Sequence, residues 1–209
     1  MWTLLIAAFA SAAVPAGVRP APAPIDAPVQ YAEYAKSQGL ESRLACNTLW
    51  PGQALICFKV LDGKKLRWVT TDDLAKWRVS QTQLREVIQE RALTHLESGP
   101  KPMTVDGMPG GYFLAAEGDG WSAAGVLLPG PLSLKLGMPV FLAAVPSEGV
   151  ALFWKLGDAE LDKVLAIGVT EMYESEDGPV SPVIYQWDGL KWQPFIEAKE
   201  QRREPGKPL

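Results

Sequence analysis

The sequence predicts an α+β domain: a mixed, largely antiparallel sheet built from hairpins, with two main amphipathic helices. Three observations predict it. Short apolar runs come in pairs around turn sequences, at Trp50-Pro51-Gly52-Gln53, Asp62-Gly63, Pro146-Ser147-Glu148-Gly149 and Asp188-Gly189. Two longer stretches, after Ser80 and after Asp158, repeat apolar residues at helical spacing. Strands and helices do not alternate regularly, as a parallel sheet with crossover helices requires, and no internal repeat of fixed period is visible.

Element by element, residues 29–38 read as a short helix closed by Gly39. Residues 44–49 and 54–61 are strand-like, and Asp62-Gly63 turns the second of them back into 66–69. Thr70 caps a short helix whose Asp72 and Asp73 sit at its positive end. Ser80 and Gln83 make a capping box flanked by Val79 and Leu84 at the staple positions. Leu84, Val87, Ile88, Ala92 and Leu96 then recur at helical spacing until Gly99-Pro100 stops the helix. Residues 112–116 form a short strand, and 121–128 fit either helix or strand. Residues 140–145 and 150–154 form a hairpin. Asp158 caps the second long helix, with Leu161, Val164, Leu165, Val169 and Met172 apolar and Gly168 on the same face. Residues 183–187 and 191–195 close the domain as a hairpin around Asp188-Gly189.

The two ends of the chain read differently. Residues 1–12 resemble an export leader: no charged side chain through residue 16, an apolar run over 4–10, and small residues at Ala10-Ser11-Ala12 where signal peptidase cuts. Ala8-Phe9-Ala10 is an alternative cut, and no Lys or Arg precedes the apolar run. No Cys follows that run, so a lipid-anchored terminus is not expected. Residues 13–28 carry Pro15, Pro20, Pro22, Pro24 and Pro28 and are expected to be an extended Pro/Ala-rich tether. The single folded domain is then 29–196, and 197–209 a charged tail with almost nothing to bury.

Composition removes several classes of function. A formal net charge of −4 argues against nucleic acid as a partner, since phosphate contacts need a basic surface. One His and two Cys cannot build a zinc finger or a His-rich cage, so neither a metal nor a cofactor is expected. No apolar run approaches the roughly twenty residues of a transmembrane span.

The candidate chemistry is sparse. Cys46 and Cys57 flank the Trp50-Pro51-Gly52 turn. In an exported chain they form a disulfide if the register puts both side chains on one face, and otherwise are two buried thiols. His95 lies about 20° around its helix from Leu84, beside the apolar stripe, which reads as a packed helix-end histidine. Gly120-Trp121-Ser122-Ala123-Ala124 resembles a nucleophile elbow, but hydrolases of that kind place their histidine after the serine, and His95 precedes Ser122. Ser98 and Lys101 have Ser-x-x-Lys spacing broken by Gly99-Pro100. Carboxylate pairs occur at Asp72/Asp73, Glu171/Glu174 and Glu176/Asp177. The first is explained by capping and the others by a solvated helix end and its loop.

Eight tryptophans remain to be explained. Trp2 belongs to the leader; most of Trp50, Trp68, Trp77, Trp121, Trp154, Trp187 and Trp192 are expected to pack. Trp187, Trp192 and Trp121 are the candidates for an exposed stacking platform, the first two flanking the Asp188-Gly189 hairpin.

The order of several short motifs resembles the uncharacterised bacterial YtpQ-like family. The motifs are Leu66-Arg67-Trp68-Val69-Thr70, Asp72-Asp73-Leu74, Trp77, the capped helix from Ser80, Leu127-Leu128-Pro129, Gly137 with Pro139, Val145-Pro146-Ser147, and Ser181-Pro182 leading to Trp187. The resemblance covers residues 55–195 and implies the α+β architecture; it brings no activity. Glu148-Gly149 stands where that family carries a basic–acidic pair. The expectation is therefore an exported, non-catalytic binding or interaction module of the cell envelope, periplasmic or extracellular, with a protein or peptide partner. The alternatives are an envelope hydrolase using carboxylates or Ser122, and a structural accessory of a secreted assembly.

Overall fold

The computed structural model describes residues 13–39, 41–116, 121–175 and 178–197, without the side chains of 122, 123, 196 and 197. Residues 1–12, expected to be an export leader, and the expected tail from 198 lie outside the described residues. The fold is α+β, and its hairpins sort into two sheets in which every described pairing is antiparallel.

The smaller sheet is organised around β3 (Ala54–Asp62). β1 (Val18–Pro24) runs along one side of it, while β2 (Cys46–Trp50) and β4 (Lys65–Trp68) share the other. The larger sheet contains β5 (Lys101–Thr104), β6 (Gly111–Ala115), β7 (Phe141–Ser147), β8 (Val150–Lys155), β9 (Val183–Trp187) and β10 (Trp192–Glu197) in the order β10-β9-β7-β8-β6-β5. The helices are α1 (Ala27–Ser37), α2 (Thr71–Trp77), α3 (Gln81–Ser98), α4 (Pro129–Leu136) and α5 (Ala159–Ser175), with a 3-10 helix at Ser122–Leu127. The ambiguous stretch 121–128 is thus helical, and it runs directly into α4.

One expectation is overturned. Residues 13–28 are not a tether, because Val18–Pro24 is a strand of the small sheet and the folded unit begins well before Val29. The prolines permit this by their spacing. Pro20, Pro22 and Pro24 lie opposite Phe58, Ile56 and Ala54, every second position of a strand that pairs on one side only. The alternating residues Arg19, Ala21 and Ala23 keep their N–H groups, all of one parity, and point them at β3. The missing proline donors then face the outer edge, the one place in a sheet where proline costs no ladder bond. Val14 is also in the core, and the Arg91 guanidinium of α3 donates to the carbonyls of Val14 and Pro15 at 2.8 Å each.

Three apolar layers hold the elements together. Leu84, Val87, Ile88 and Ala92 of α3 pack on Ile56, Phe58 and Val60 of β3. Phe141, Ala143, Phe153 and Tyr185 on the inner face of the large sheet meet Leu132 and Leu136 of α4 and, from the β2–β3 turn, Trp50 and Ala54. The outer face, through Leu142, Leu152, Trp154 and Ile184, is covered by Leu161, Leu165, Ala166 and Val169 of α5. β7 is therefore buried along its whole length between two layers.

The caps form where the sequence places them. Ser80 Oγ accepts from the Gln83 N–H at 3.1 Å, and Gln83 Oε1 accepts from the Ser80 N–H at 2.8 Å. Asp158 Oδ1 accepts from the Leu161 N–H at the start of α5. Gly99 ends α3 at φ +51°, a conformation that favours glycine. Replacing Ser80 with alanine is expected to lower stability by about 1 kcal/mol, read as a shift of the urea midpoint at unchanged slope.

Candidate functional site

A groove of about 510 Å³ lies between the end of β1, helix α1, β4 and the β7–β8 turn. Pro22 and Pro24 line one side, and Tyr31, Tyr34 and Trp68 supply aromatic walls. Tyr31 and Tyr34 come together because α1 sets residues three apart on one face; their ring centroids lie 6.3 Å apart, tilted by 52°. Tyr34 is 61% exposed, so the groove is open to solvent on that side. Trp68 is half-buried and is fixed at the end of β4 by its pairing with Lys59.

Beneath the groove lies the Cys46–Cys57 disulfide. The two residues are direct cross-strand partners on β2 and β3, with Cα atoms 4.0 Å apart, so the register condition is met. Cys57 shares a cluster with Ala23 and Leu44, against which Cys46, Tyr31 and Trp68 pack.

Two ion pairs brace the walls. Lys59 Nζ donates to both oxygens of Glu148, at 2.7 and 2.5 Å, and lies 4.4 Å from the Trp68 ring centroid. This pair joins the two sheets. The Glu148 N–H also donates to Gly178 O, and the N–H groups of Val180 and Ser181 donate to Pro146 and Val145. Residues 145–148 and 178–181 are thereby tied together, with Pro179 lining the groove.

The second ion pair accounts for the 66–73 motif. Arg67 Nη1 and Nη2 donate to the two oxygens of Asp73 at 2.6 and 2.8 Å, and Arg67 Nε donates to Asp62 at 3.1 Å. Asp73 also accepts from the Thr70 N–H at 3.0 Å, capping α2. Burial pushes the Asp73 carboxyl upward, but the Arg67 and Thr70 hydrogen bonds outweigh it and hold the group below its ordinary range. Tyr31 is held above its ordinary value, first by burial and next by the Asp73 carboxylate.

A pH dependence follows from the depressed Asp73 value. A carboxyl whose folded-state pKa lies below its unfolded one stabilises the fold above the unfolded value of 3.8 and loses that contribution as pH falls through the folded one. Comparing unfolding midpoints of the protein and Asp73→Asn is expected to show a gap at pH 6 that narrows steadily below pH 4 (about the ordinary aspartate value). A gap independent of pH would remove Asp73 as its source.

A smaller cavity, of about 240 Å³, sits at the end of α3. His95, Ser98, Lys101 and Trp121 all line it, so four residues singled out in the sequence meet there. The His95 ring stacks on Trp121 at 4.3 Å and 5°, which makes it a helix-end packing ring. Ser98 Oγ donates to His95 O within its own helix turn, and Lys101 follows on β5 beyond the Gly99-Pro100 break. Ser122 opens the 3-10 helix; its side chain lies outside the described residues.

The other candidates are placed apart. Trp187 and Trp192, expected to be the exposed tryptophans, are half-buried and pack against the second core layer. Trp192 sets its ring edge-on to Trp50 and Phe141 and donates from Nε1 to Val126 O, while Trp187 lies 5.5 Å from it. The two are cross-strand partners on β9 and β10, so their side chains share one face of the sheet. Asp72 is exposed on α2, and Glu171 and Glu174 are exposed near the end of α5. Glu176 and Asp177 lie outside the described residues. Among the described residues no group of three His, Cys, Asp or Glu is arranged to hold a metal, and no helix is long and apolar enough to cross a membrane.

Sequence reasoning missed Tyr31, Tyr34, Lys59 and Glu148 as neighbours. The i, i+3 tyrosine spacing on the predicted 29–38 helix was the one available signal; the Lys59–Glu148 contact spans 89 residues and left none. No family model, no curated protein and no solved structure matches the chain.

Proposed function

We propose that this chain is an exported, non-catalytic binding module of the cell envelope whose groove holds an extended, proline-containing segment of a protein partner. The observation that carries this reading is the make-up of the groove: three aromatic walls facing prolines, on a disulfide-bonded floor. Aromatic-lined grooves suit polyproline segments, which arrive already extended and so lose little entropy on docking. Pairing of an added β-strand is disfavoured here, because Pro20, Pro22 and Pro24 leave the outer edge of β1 without donors. Lys59 and Glu148 neutralise one another at the rim, which favours an occupant recognised by shape and stacking.

Export is supported by the leader-like residues 1–12 and by the disulfide, since such bonds persist in oxidising compartments. Of the motifs behind the YtpQ-like resemblance, Trp68 lines the groove.

Tyr34→Ala, at an exposed position, and Trp68→Ala are each expected to weaken binding of a proline-rich peptide by tenfold or more, on the order of 1–3 kcal/mol for a hot-spot aromatic. Calorimetric titration checks this; unchanged affinity in both variants would remove the groove as the binding site. Amino-terminal sequencing of native material is expected to begin at Ala13 or Ser11, and an intact Met1 on cytosolic protein would overturn the export reading.

A further inference from the structure

We propose that the cavity at the end of α3 is a second binding site, which takes a small aromatic compound of one or two rings bearing a single N–H or O–H at its edge. It shares no lining residue with the groove, so the inference is independent of the peptide-binding reading.

The cavity exists because three elements converge there with almost no side chain to fill the space. Ala92 of α3, Ala115 at the end of β6 and Gly125 of the 3-10 helix form its floor, and all three are buried. Ala92 belongs to the first apolar layer and Ala115 to the second, so the space lies at the seam between the two layers. Close-packed interiors leave few voids larger than a water molecule. His95 and Ser98 are exposed at the rim, so a ligand enters from solvent and reaches a buried floor.

Size and lining set the class of ligand. A volume of about 240 Å³ exceeds the roughly 150 Å³ of an engineered core cavity that takes up benzene. It is smaller than the roughly 300 Å³ at which sites for drug-sized ligands begin. One or two fused rings fit, with no room for a peptide main chain beside them. The walls favour a ring over a saturated body: Trp121 supplies aromatic surface and Met103 a thioether sulfur. His95 stacks on the Trp121 ring at 4.3 Å and 5°, which holds the indole as a preformed wall.

The rim selects a hydrogen-bond donor. Ser98 Oγ gives its one proton to His95 O at 2.9 Å, so its oxygen is left to accept. A neutral His95 imidazole adds one acceptor nitrogen. An indole N–H or a phenol O–H meets these acceptors, whereas a ketone or an ether does not.

The test titrates the full chain calorimetrically with indole and phenol. Both are expected to saturate with Kd on the order of 0.1–1 mM, as suits ligands of so few atoms. Cyclohexanol, which lacks the aromatic face, and N-methylindole, which lacks the donor, are each expected to bind about fivefold more weakly. Ala115→Leu fills the floor and is expected to abolish indole binding while decaproline binding stays unchanged. Because a leucine there can also disturb folding, the second variant is Met103→Ala, at a position 40% exposed. It is expected to weaken indole about threefold through loss of the sulfur–ring contact.

Absence of saturable binding by both rings would overturn the inference, as would unchanged indole affinity in Met103→Ala. Cyclohexanol or N-methylindole binding as tightly as indole would overturn the assigned class. N-acetyltryptophanamide binding more tightly than indole would assign the cavity to a partner's side chain and overturn the small-molecule form. Each of these results leaves the groove reading intact, since decaproline tests that separately.

Discussion

Replacing Trp50 with alanine is expected to destabilise the protein by about 3–5 kcal/mol, the range for deleting a buried tryptophan from a packed core. Trp50 is fully buried at the end of β2, in the turn that carries the small-sheet hairpin into the large sheet. Its ring stacks on Tyr185 of β9 at 4.3 Å and 11°, and meets Trp192 of β10 edge-on at 5.9 Å. Together with Ala54 it is the small sheet's fully buried contribution to the second core layer, with Leu49 packed against it. Truncation therefore opens a cavity at the junction of the two sheets, where neither can relax alone.

A second variant separates packing from polarity. Among the described residues the Trp50 indole N–H is buried without a hydrogen-bond partner, at a cost of about 1–3 kcal/mol. Trp50→Phe keeps most of the ring and removes that donor, so it is expected to lose much less than Trp50→Ala. Urea unfolding of both variants checks this. Equal losses would mean that stacking area is not what joins the sheets.

Breaking the disulfide is expected to cost about 3 kcal/mol. Cys46 and Cys57 are 11 residues apart, and the chain-entropy relation for a loop of that length gives roughly 2.8 kcal/mol. The unaltered protein should therefore unfold at lower urea with reductant, while Cys46→Ser/Cys57→Ser is insensitive to it. The effect extends to the groove, since Tyr31 and Trp68 pack against the cluster that contains this pair. Peptide affinity is expected to fall along with stability in the double variant. A reductant effect that persisted in it would point to some other source.

Much of the fold was legible because its signals are local. The capping box at Ser80, the glycine stop at Gly99 and the Asp158 cap each depend on residues within a turn of one another, and each forms. The Asp62-Gly63 and Asp188-Gly189 turns likewise join the strands they flank. Proline was where local reasoning failed. Pro20, Pro22 and Pro24 signal an unstructured linker until the partner strand is known, because the alternate spacing matters only against an edge. β5, with Pro102 in it, and α4, opening at Pro129, are not read from the sequence.

The candidate site was less legible than the fold. In the sequence Trp68 is one tryptophan among eight, and the exposed platform is expected at Trp187, Trp192 and Trp121. Which aromatic ring faces solvent is decided by what packs over it: the second core layer takes Trp192 and Trp187, and His95 takes Trp121. Lys59 and Glu148 likewise have unremarkable neighbours in sequence and meet only because the two sheets abut.

By itself, then, the sequence determined the α+β class, the hairpins and the helix ends, and it supplied a cysteine pair on facing strands. These follow from backbone preferences and periodicity over a few residues. The tertiary structure alone decided that the hairpins divide into two sheets, that a proline-rich strand closes the smaller one, and that tyrosines, a tryptophan and a charged pair surround one groove. Those outcomes depend on contacts between residues dozens of positions apart, whose energies arise only once the chain has folded back on itself.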